Sequence, residues 1–398
     1  MQIESIEIKN YRLFRDAKLV KIPRLCVLVG ANGTGKSTLF DVFSFLKDAL
    51  TMDVGKAFAK RGGYREVASR GFEREPIEIT LQFRLEITGY ERLVTYLLKI
   101  VPDVQGHPVV DREILRYKRG SYGSPYHFLD FSHGKGYAII NEEDFSKKDE
   151  ALTRENQNLG EPDILAIKGI GQFERFKAAR AFRLMIENWH ISDFHVSEAR
   201  SSQEDGIAEH LSVHGDNLPL VANYLFERHR QCFDEVLSAM TRRVPGIALV
   251  EPRQTEDGRL VLRFKDGSFR DPFIARHVSD GTIKMFAYLV LLHDPKPFPL
   301  LAIEEPENQL YPDLLPELAE EFRDYARRGG QVFISTHSPD FLNALELDEI
   351  YCLCKKQGFT EIRRASDSEN LRALFDAGDK PGYLWREGLF DNLNRGLI

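Results

Sequence analysis

The chain has 398 residues, 42% of them hydrophobic and 29% charged, and carries a formal net charge of −7. That length buries one large core or two lobes, and the composition excludes a fibrous or disordered chain. The acidic balance excludes a strongly basic nucleic-acid coat while leaving room for a local basic patch. No apolar run reaches the roughly 18 residues a membrane span needs. Four cysteines (Cys26, Cys232, Cys352 and Cys354) lack zinc spacing and are expected to be reduced core residues. The alternating start, MQIESIEIKNYRLF, lacks the apolar core of a signal peptide, so a cytoplasmic protein is expected.

In chain order, residues 2–9 alternate as a strand does, and 24–30 form an apolar strand closed by Gly30. A helix is predicted from Lys36 to about Leu50. Residues 76–140 are β-rich segments separated by Gly, Pro and Asp, which predicts an antiparallel sheet. Residues 141–165 are polar with few apolar anchors and are expected to be a mobile loop. Residues 171–190 and 218–241 have helical spacing, the second with Asp216, Asn217 and Pro219 as start signals. The segments ALVEPRQ and RLVLRFKD suggest a hairpin around Asp257-Gly258. After Ser279 the order becomes helix, strand (299–304), helix (312–327), strand (331–335), helix, strand (349–354). Such alternation predicts a parallel sheet with helices on its faces.

The stretch GANGTGKST, Gly30 to Thr38, fits G-x-x-x-x-G-K-[ST] between a buried strand and a helix. Glycines let backbone N–H groups converge on a phosphate, and the helix start adds partial positive charge. Lys36 is placed to reach the β- and γ-phosphates of ATP and Ser37 to hold Mg2+. Asn32, Gly33, Thr34, Gly35 and Thr38 complete the cradle. The predicted fold is therefore α/β: a P-loop NTPase with a mostly parallel core sheet flanked by helices, an N-terminal antiparallel β lobe and a helical insertion. A single ATPase is expected over 1–398. Its sublobes are 1–140 with the phosphate loop, 141–245 with loop and helical insertion, and 246–398.

A second apolar strand ends in Glu304 and Glu305, followed by Pro306. Carboxylates at the C-terminal end of a parallel strand lie where such folds bind ligands. Neighbouring strand residues point to opposite sides, so different jobs are expected unless the strand ends between them. Glu304 is assigned to Mg2+ through water and Glu305 to the attacking water. QVFISTHSPDFL is a third such strand, and it delivers His337 toward the γ-phosphate or that water. VSDGTIKMFAYLVLL opens with Ser279, Asp280, Gly281 and Thr282 before a buried helix. Helix capping accounts for Ser279 but leaves the next three residues unexplained.

GANGTGKS, VSDGT, LLAIEEPENQLYP and STHSP, in this order, resemble the ABC-type ATPase head of the RecF/SMC-like and OLD-family branch. The resemblance covers roughly 1–50 and 270–355. It implies that the signature, Ser279 to Thr282, faces ATP held by a second subunit, giving a homodimer with two sandwiched nucleotides. Higher oligomers are compatible with the same interface. IKNYRLFRD matches too, and the resemblance implies that Arg12 approaches the phosphates. The chain departs from the pattern in having Glu304 where Asp is usual and SDGT in place of an SGGQ-type ending. It carries no long coiled coil, and the 61 residues after His337 lack the acidic arrangement of a Toprim nuclease.

Residues 55–74 carry Lys56, Lys60, Arg61, Arg65, Arg70 and Arg74 against Glu66 and Glu73, six minus two, a local +4. Arg175, Lys177, Arg180 and Arg183 form a second basic cluster. Either could meet DNA phosphates, or be a solvated face with internal pairing. The expectation is an ATP-hydrolysing, Mg2+-dependent dimerisation switch. It would serve DNA maintenance, or act as sensor or scaffold in a prokaryotic antiphage defence system with a separate effector protein. The alternatives are a non-enzymatic ATP-bound scaffold that sequesters an effector or toxin and, behind it, a small-molecule kinase. No membrane association is expected.

Overall fold

The structure is a computed structural model that describes residues 2–120 and 124–390. The chain divides into two compact units: Met1–Trp189 with Asp348–Arg372 and Phe390–Ile398, and His190–Leu347 with Ala373–Leu389.

The first unit holds an eight-stranded sheet. Its strands run in the order Phe14–Val20, Gln2–Tyr11, Ile77–Ile87, Tyr90–Pro102, Pro108–Tyr117, Tyr126–Ser132, Lys135–Ile139, Arg154–Asn158. Each neighbouring pair is antiparallel, with Ile79 opposite both Ile8 and Leu98. Period-two patterning explains the orientation. Ile77, Ile79, Leu81, Phe83, Leu85 and Ile87 are buried, while Arg84 and Glu86 between them are exposed. The helix Lys177–Glu187 covers this face, with Phe182 stacked on Phe83 at 4.8 Å and tilted against Tyr96 at 4.4 Å. Each such buried ring contributes ~1.5–3 kcal/mol.

Arg154–Asn158 corrects one expectation: 141–165 is not all loop. Its polar strand pairs residue for residue with Lys135–Ile139, so backbone hydrogen bonds place it where side-chain hydrophobicity gave no sign. Glu113 is fully buried on the same sheet. Its carboxylate accepts from the amides of Ala166 (2.5 Å) and Ile167 (3.1 Å) and from the Tyr96 hydroxyl (3.1 Å). Burial pushes its carboxyl up to about 7 despite these donors, which start the helix Ala166–Ile170.

Also in the first unit, Leu25–Val29 pairs in parallel with Ile350–Lys356, Val27 opposite Ile350, and Phe359–Arg364 continues antiparallel. All five residues of Leu25–Val29 are buried, as a strand covered on both faces requires. The helix Lys36–Thr51 follows the phosphate loop.

In the second unit, Leu300–Glu304 and Gln331–Ser335 pair in parallel, Ile303 opposite Ile334 and Glu304 opposite Ser335. The helix Asp280–Leu292 is buried from Ile283 to Leu292. The expected hairpin is present as Ile247–Gln254 and Arg259–Asp266. The expected helix 218–241 is two helices, Leu218–Arg228 and Arg230–Arg243, meeting at His229 with φ −133°. Pro219 does sit at the helix start, but Asn217 caps nothing. Its Oδ1 accepts instead from the Ser212 amide at 2.9 Å.

Candidate functional site

In the first unit, the phosphate loop turns tightly between strand and helix. A Cβ on Gly30 would sit 2.3 Å from the Leu353 carbonyl oxygen, and one on Gly35 would lie 2.7 Å from Thr360 Oγ1. Gly35 also holds φ +105° as the residue before the helix, which an L side chain rarely adopts. The helix starts with no side-chain cap, so its N-terminal dipole is presented to the loop. Lys36, 7% exposed, donates to the carbonyls of Gly30 (2.8 Å) and Ala31 (3.2 Å). A buried ammonium resting on neutral carbonyls inside a glycine turn suits a polyanion. Thr34 Oγ1 donates to Ala31 O at 2.9 Å, and Thr360 Oγ1 to Thr34 O at 2.7 Å, fixing the loop from two sides.

Arg12 is held at φ +49° by donating its amide to Val67 O at 2.6 Å. Its guanidinium lies 3.2 Å from Asp41 Oδ2. Asp41 also accepts from the Tyr11 hydroxyl (2.8 Å) and Arg61 Nε (2.7 Å), so the arginine is engaged on the helix that follows the loop.

In the second unit, the strand does end between the two carboxylates. Glu304 is its last residue, and Glu305 turns out of it at φ +45°. The Glu305 amide donates to Ser335 O at 2.9 Å, tying the turn to the neighbouring strand. Glu305 Oε2 accepts from Asn308 Nδ2 at 2.9 Å, and Oε1 lies 3.6 Å from His337 Nε2. That gap exceeds a hydrogen bond, and the buried Nε2 has no hydrogen-bond partner among the described residues. That nitrogen therefore still needs a polar partner.

Glu307, which the sequence reading passed over, organises this corner. Its Oε1 accepts from Thr336 Oγ1 (2.7 Å) and from the His337 amide (2.8 Å). Ser338 then caps the short helix Pro339–Leu342. Lys284 adds a second tie. From inside the apolar helix that follows the signature, its Nζ donates to Asn308 O at 2.7 Å. Burial lowers its ammonium from 10.5 to about 8, against the pull of Glu307 and Glu305. The signal was available, because Lys284 is the one charge in that helix after Asp280.

Ser279 caps the same helix, accepting from the Thr282 amide at 3.3 Å with its Oγ 2.7 Å from Thr282 Oγ1. Asp280 pairs with Arg200 at 2.5 Å. Gly281 has a local reason to be glycine: a Cβ would lie 2.7 Å from Gln309 O. The carbonyl comes from the turn that begins with Glu305, so signature and carboxylate turn are packed as one piece. Ser279 and Asp280 are exposed at the head of that piece, on an open recess of about 740 Å3 that Tyr311 and Arg243 also line.

The two basic clusters are largely satisfied within the chain. Arg61, 6% exposed, bridges Asp41 and Asp48; Lys56 pairs with Asp53, Lys60 with Asp48, and Arg70 with Glu66. Arg175 pairs with Glu155 and Arg183 with Glu187. The partners Asp41, Asp48 and Asp53 lie outside the 55–74 window, so the local +4 overstated the free charge.

A family model described as "AAA domain, putative AbiEii toxin, Type IV TA system" matches residues 25–343, from the strand before the phosphate loop to just past the histidine segment. The chain belongs to this AAA domain family. Among solved structures, its fold is similar to an SMC head bound to the C-winged helix domain of ScpA. That match has TM-score 0.54 and 14% identity, covering 91% of this chain and 98% of that one. The Smc head with an extended coiled coil from Pyrococcus furiosus, bound to the C-terminal domain of ScpA, gives TM-score 0.53 and 12% identity over 95% and 100%. At such identities the likeness is one of fold. No curated protein matches. The AAA domain is thus an ATPase-type fold of the SMC/RecF kind, as its motifs imply, and among the described residues no helix is long and apolar enough to cross a membrane.

Proposed function

We propose that this AAA domain is an ATP-hydrolysing switch that pairs with a second copy of itself around the nucleotide and holds or releases a separate protein. The observation that carries the catalytic part is the Glu305–His337 corner, clamped by Glu307 in a chain that also has a complete lysine loop. A scaffold that only stored nucleotide would have no use for a carboxylate and an imidazole side by side on a backbone pinned by a third carboxylate.

Gly30 to Thr38 bind the phosphates through their backbone amides, with Asn32, Gly33, Thr34 and Gly35 shaping the turn. Lys36 trades its loop carbonyls for β- and γ-phosphate oxygens. Ser37 and Glu304 would hold Mg2+, which neutralises phosphate charge when bound. Glu305 orients a water and takes its proton as the water oxygen bonds to the γ-phosphorus and the bridging P–O bond breaks. His337 steadies that water or a γ-phosphate oxygen through Nε2. Ser279, Asp280, Gly281 and Thr282 of the second copy close over the γ-phosphate, the serine by its hydroxyl and the helix start by its positive end. Arg12 reaches the phosphates by leaving Asp41.

Differential affinity for the closed pair makes ATP the ligand that shifts the population, and hydrolysis reverses it. A protein partner is favoured over DNA because much of both basic clusters is engaged in internal ion pairs. Measuring phosphate release with ATP and Mg2+ tests the reading. Turnover in the wild type, absent in Glu305→Gln with ATP still bound, is expected. Equal turnover in both would remove Glu305 from the mechanism, and nucleotide binding with no turnover in either would leave a scaffold.

A further inference from the structure

We propose that the second unit carries a binding site for a divalent transition metal of the zinc class, formed by Asp193, His195 and His214 and separate from the nucleotide chemistry. One ligand atom from each residue lies within 4.8 Å of the others. His195 Nε2 is 3.5 Å from Asp193 Oδ2. Two ligands on a tetrahedral zinc ion, each about 2.0–2.1 Å from it, stand about 3.3–3.5 Å apart, so this pair already has the spacing an ion needs. The imidazoles of His195 and His214 lie nearly parallel, 27° apart with centroids separated by 5.4 Å.

The three residues come from two segments that the backbone fixes together. The Asp193 amide donates to Val213 O and the His195 amide to His214 O, both at 3.0 Å. The second segment is braced in turn, since Asn217 Oδ1 accepts from the Ser212 amide and Asn217 Nδ2 donates to His210 O, each at 2.9 Å. His214 Nδ1 lies 3.1 Å from Asp193 O. The same nitrogen is 3.7 Å from Asp193 Oδ2, so with the ring proton on Nε2 its lone pair faces the carboxylate that would share the ion.

The chemistry selects the ion. Two imidazoles and one carboxylate suit zinc, cobalt or nickel, whereas magnesium and calcium want oxygen ligands. The side chains of Asp193, His195 and His214 are 69%, 48% and 49% exposed, so water or another ligand completes the coordination. A bound ion would staple residues 193–195 to the 211–215 segment. Five residues beyond His195, Arg200 grips Asp280 at the signature, so the staple lies on the strand of chain that braces that motif.

The test uses the full chain, freed of metal and titrated with Zn2+ alone, with Mg2+ and nucleotide absent. One Zn2+ per chain is expected. His195→Ala with His214→Ala should weaken it beyond the about 100-fold that outer-shell changes cause. His133→Ala, which removes an exposed histidine in the first unit, should leave the binding unchanged. Co2+ should give the visible absorption of a four- or five-coordinate site in the wild type and lose it in the double variant. Thermal melting should show the double variant folded and no longer stabilised by Zn2+. Equal Zn2+ stoichiometry and affinity in the wild type and a folded double variant, or no binding by the wild type, would overturn the proposal.

Discussion

The phosphate loop and the carboxylate corner are both built on a parallel strand, yet they are assembled differently. The loop is a local object: Gly30 to Ser37 lie together in sequence, and the ammonium of Lys36 rests on carbonyls five and six residues earlier. The corner draws on three segments. Glu307 reaches across 30 residues to the His337 amide, Lys284 across 24 to the Asn308 carbonyl, and Gly281 leaves room for Gln309 O. A local cradle is fixed mainly by backbone shape, with one distant tie from Thr360 to Thr34 O. An assembled corner depends on each tie, so residues that never touch the substrate can control it.

The largest loss of nucleotide affinity should come from the local side. Lys36→Ala removes a charge-assisted contact worth about 1.5–3 kcal/mol, so ATP should bind ~10- to 150-fold more weakly by calorimetry. Unchanged affinity would remove Lys36 from the cradle.

On the assembled side, Glu305→Gln should lower kcat by about 10²–10⁴, the usual worth of a positioned base, with little change in ATP affinity. A rise in KM with kcat intact would assign Glu305 to binding instead. Glu307→Ala leaves the Thr336 hydroxyl and His337 amide without their acceptor, at a cost of about 1–3 kcal/mol. Its melting temperature should fall, and kcat should fall with it while ATP affinity holds. A lower melting point with full kcat would mean the clamp serves folding alone. Gly281→Ala forces a Cβ toward a carbonyl 2.7 Å away and should destabilise by roughly 1–3 kcal/mol, as overpacking does. A neutral outcome would uncouple the signature from the carboxylate turn.

The last effect concerns pH. The Lys284 ammonium is lowered from 10.5 to about 8 in the folded chain. Between those values the unfolded chain binds more protons, so this residue makes stability rise with pH across that window. The penalty is fully present below about pH 8 and relieved as pH approaches 10.5. Denaturant unfolding of Lys284→Met should show a flatter rise than the wild type there. Parallel curves would mean that the ammonium is not strained by its burial.

Legibility followed the same divide. The buried strand Leu25–Val29, the hairpin 247–266 and the parallel pair ending at Glu304 and Ser335 follow from periodicity and turn chemistry. Arg154–Asn158 was hidden because a polar strand is placed by backbone pairing. The break at His229 was hidden because apolar spacing runs straight through it. Glu307 looked like one more acidic residue in a turn, and only its two acceptor contacts distinguish it. The basic clusters misled because their neutralising carboxylates, Asp41, Asp48 and Asp53, sit elsewhere in the sequence.

The central claim is that ATP joins two copies through the serine-headed helix. Sedimentation of Glu305→Gln, with and without ATP and Mg2+, measures it most directly. A monomer is expected without nucleotide and a dimer with it. Adding Ser279→Arg should abolish the dimer while ATP still binds to Lys36 and its loop. ATP binding that leaves the mass unchanged, or a dimer indifferent to Ser279→Arg, would contradict it.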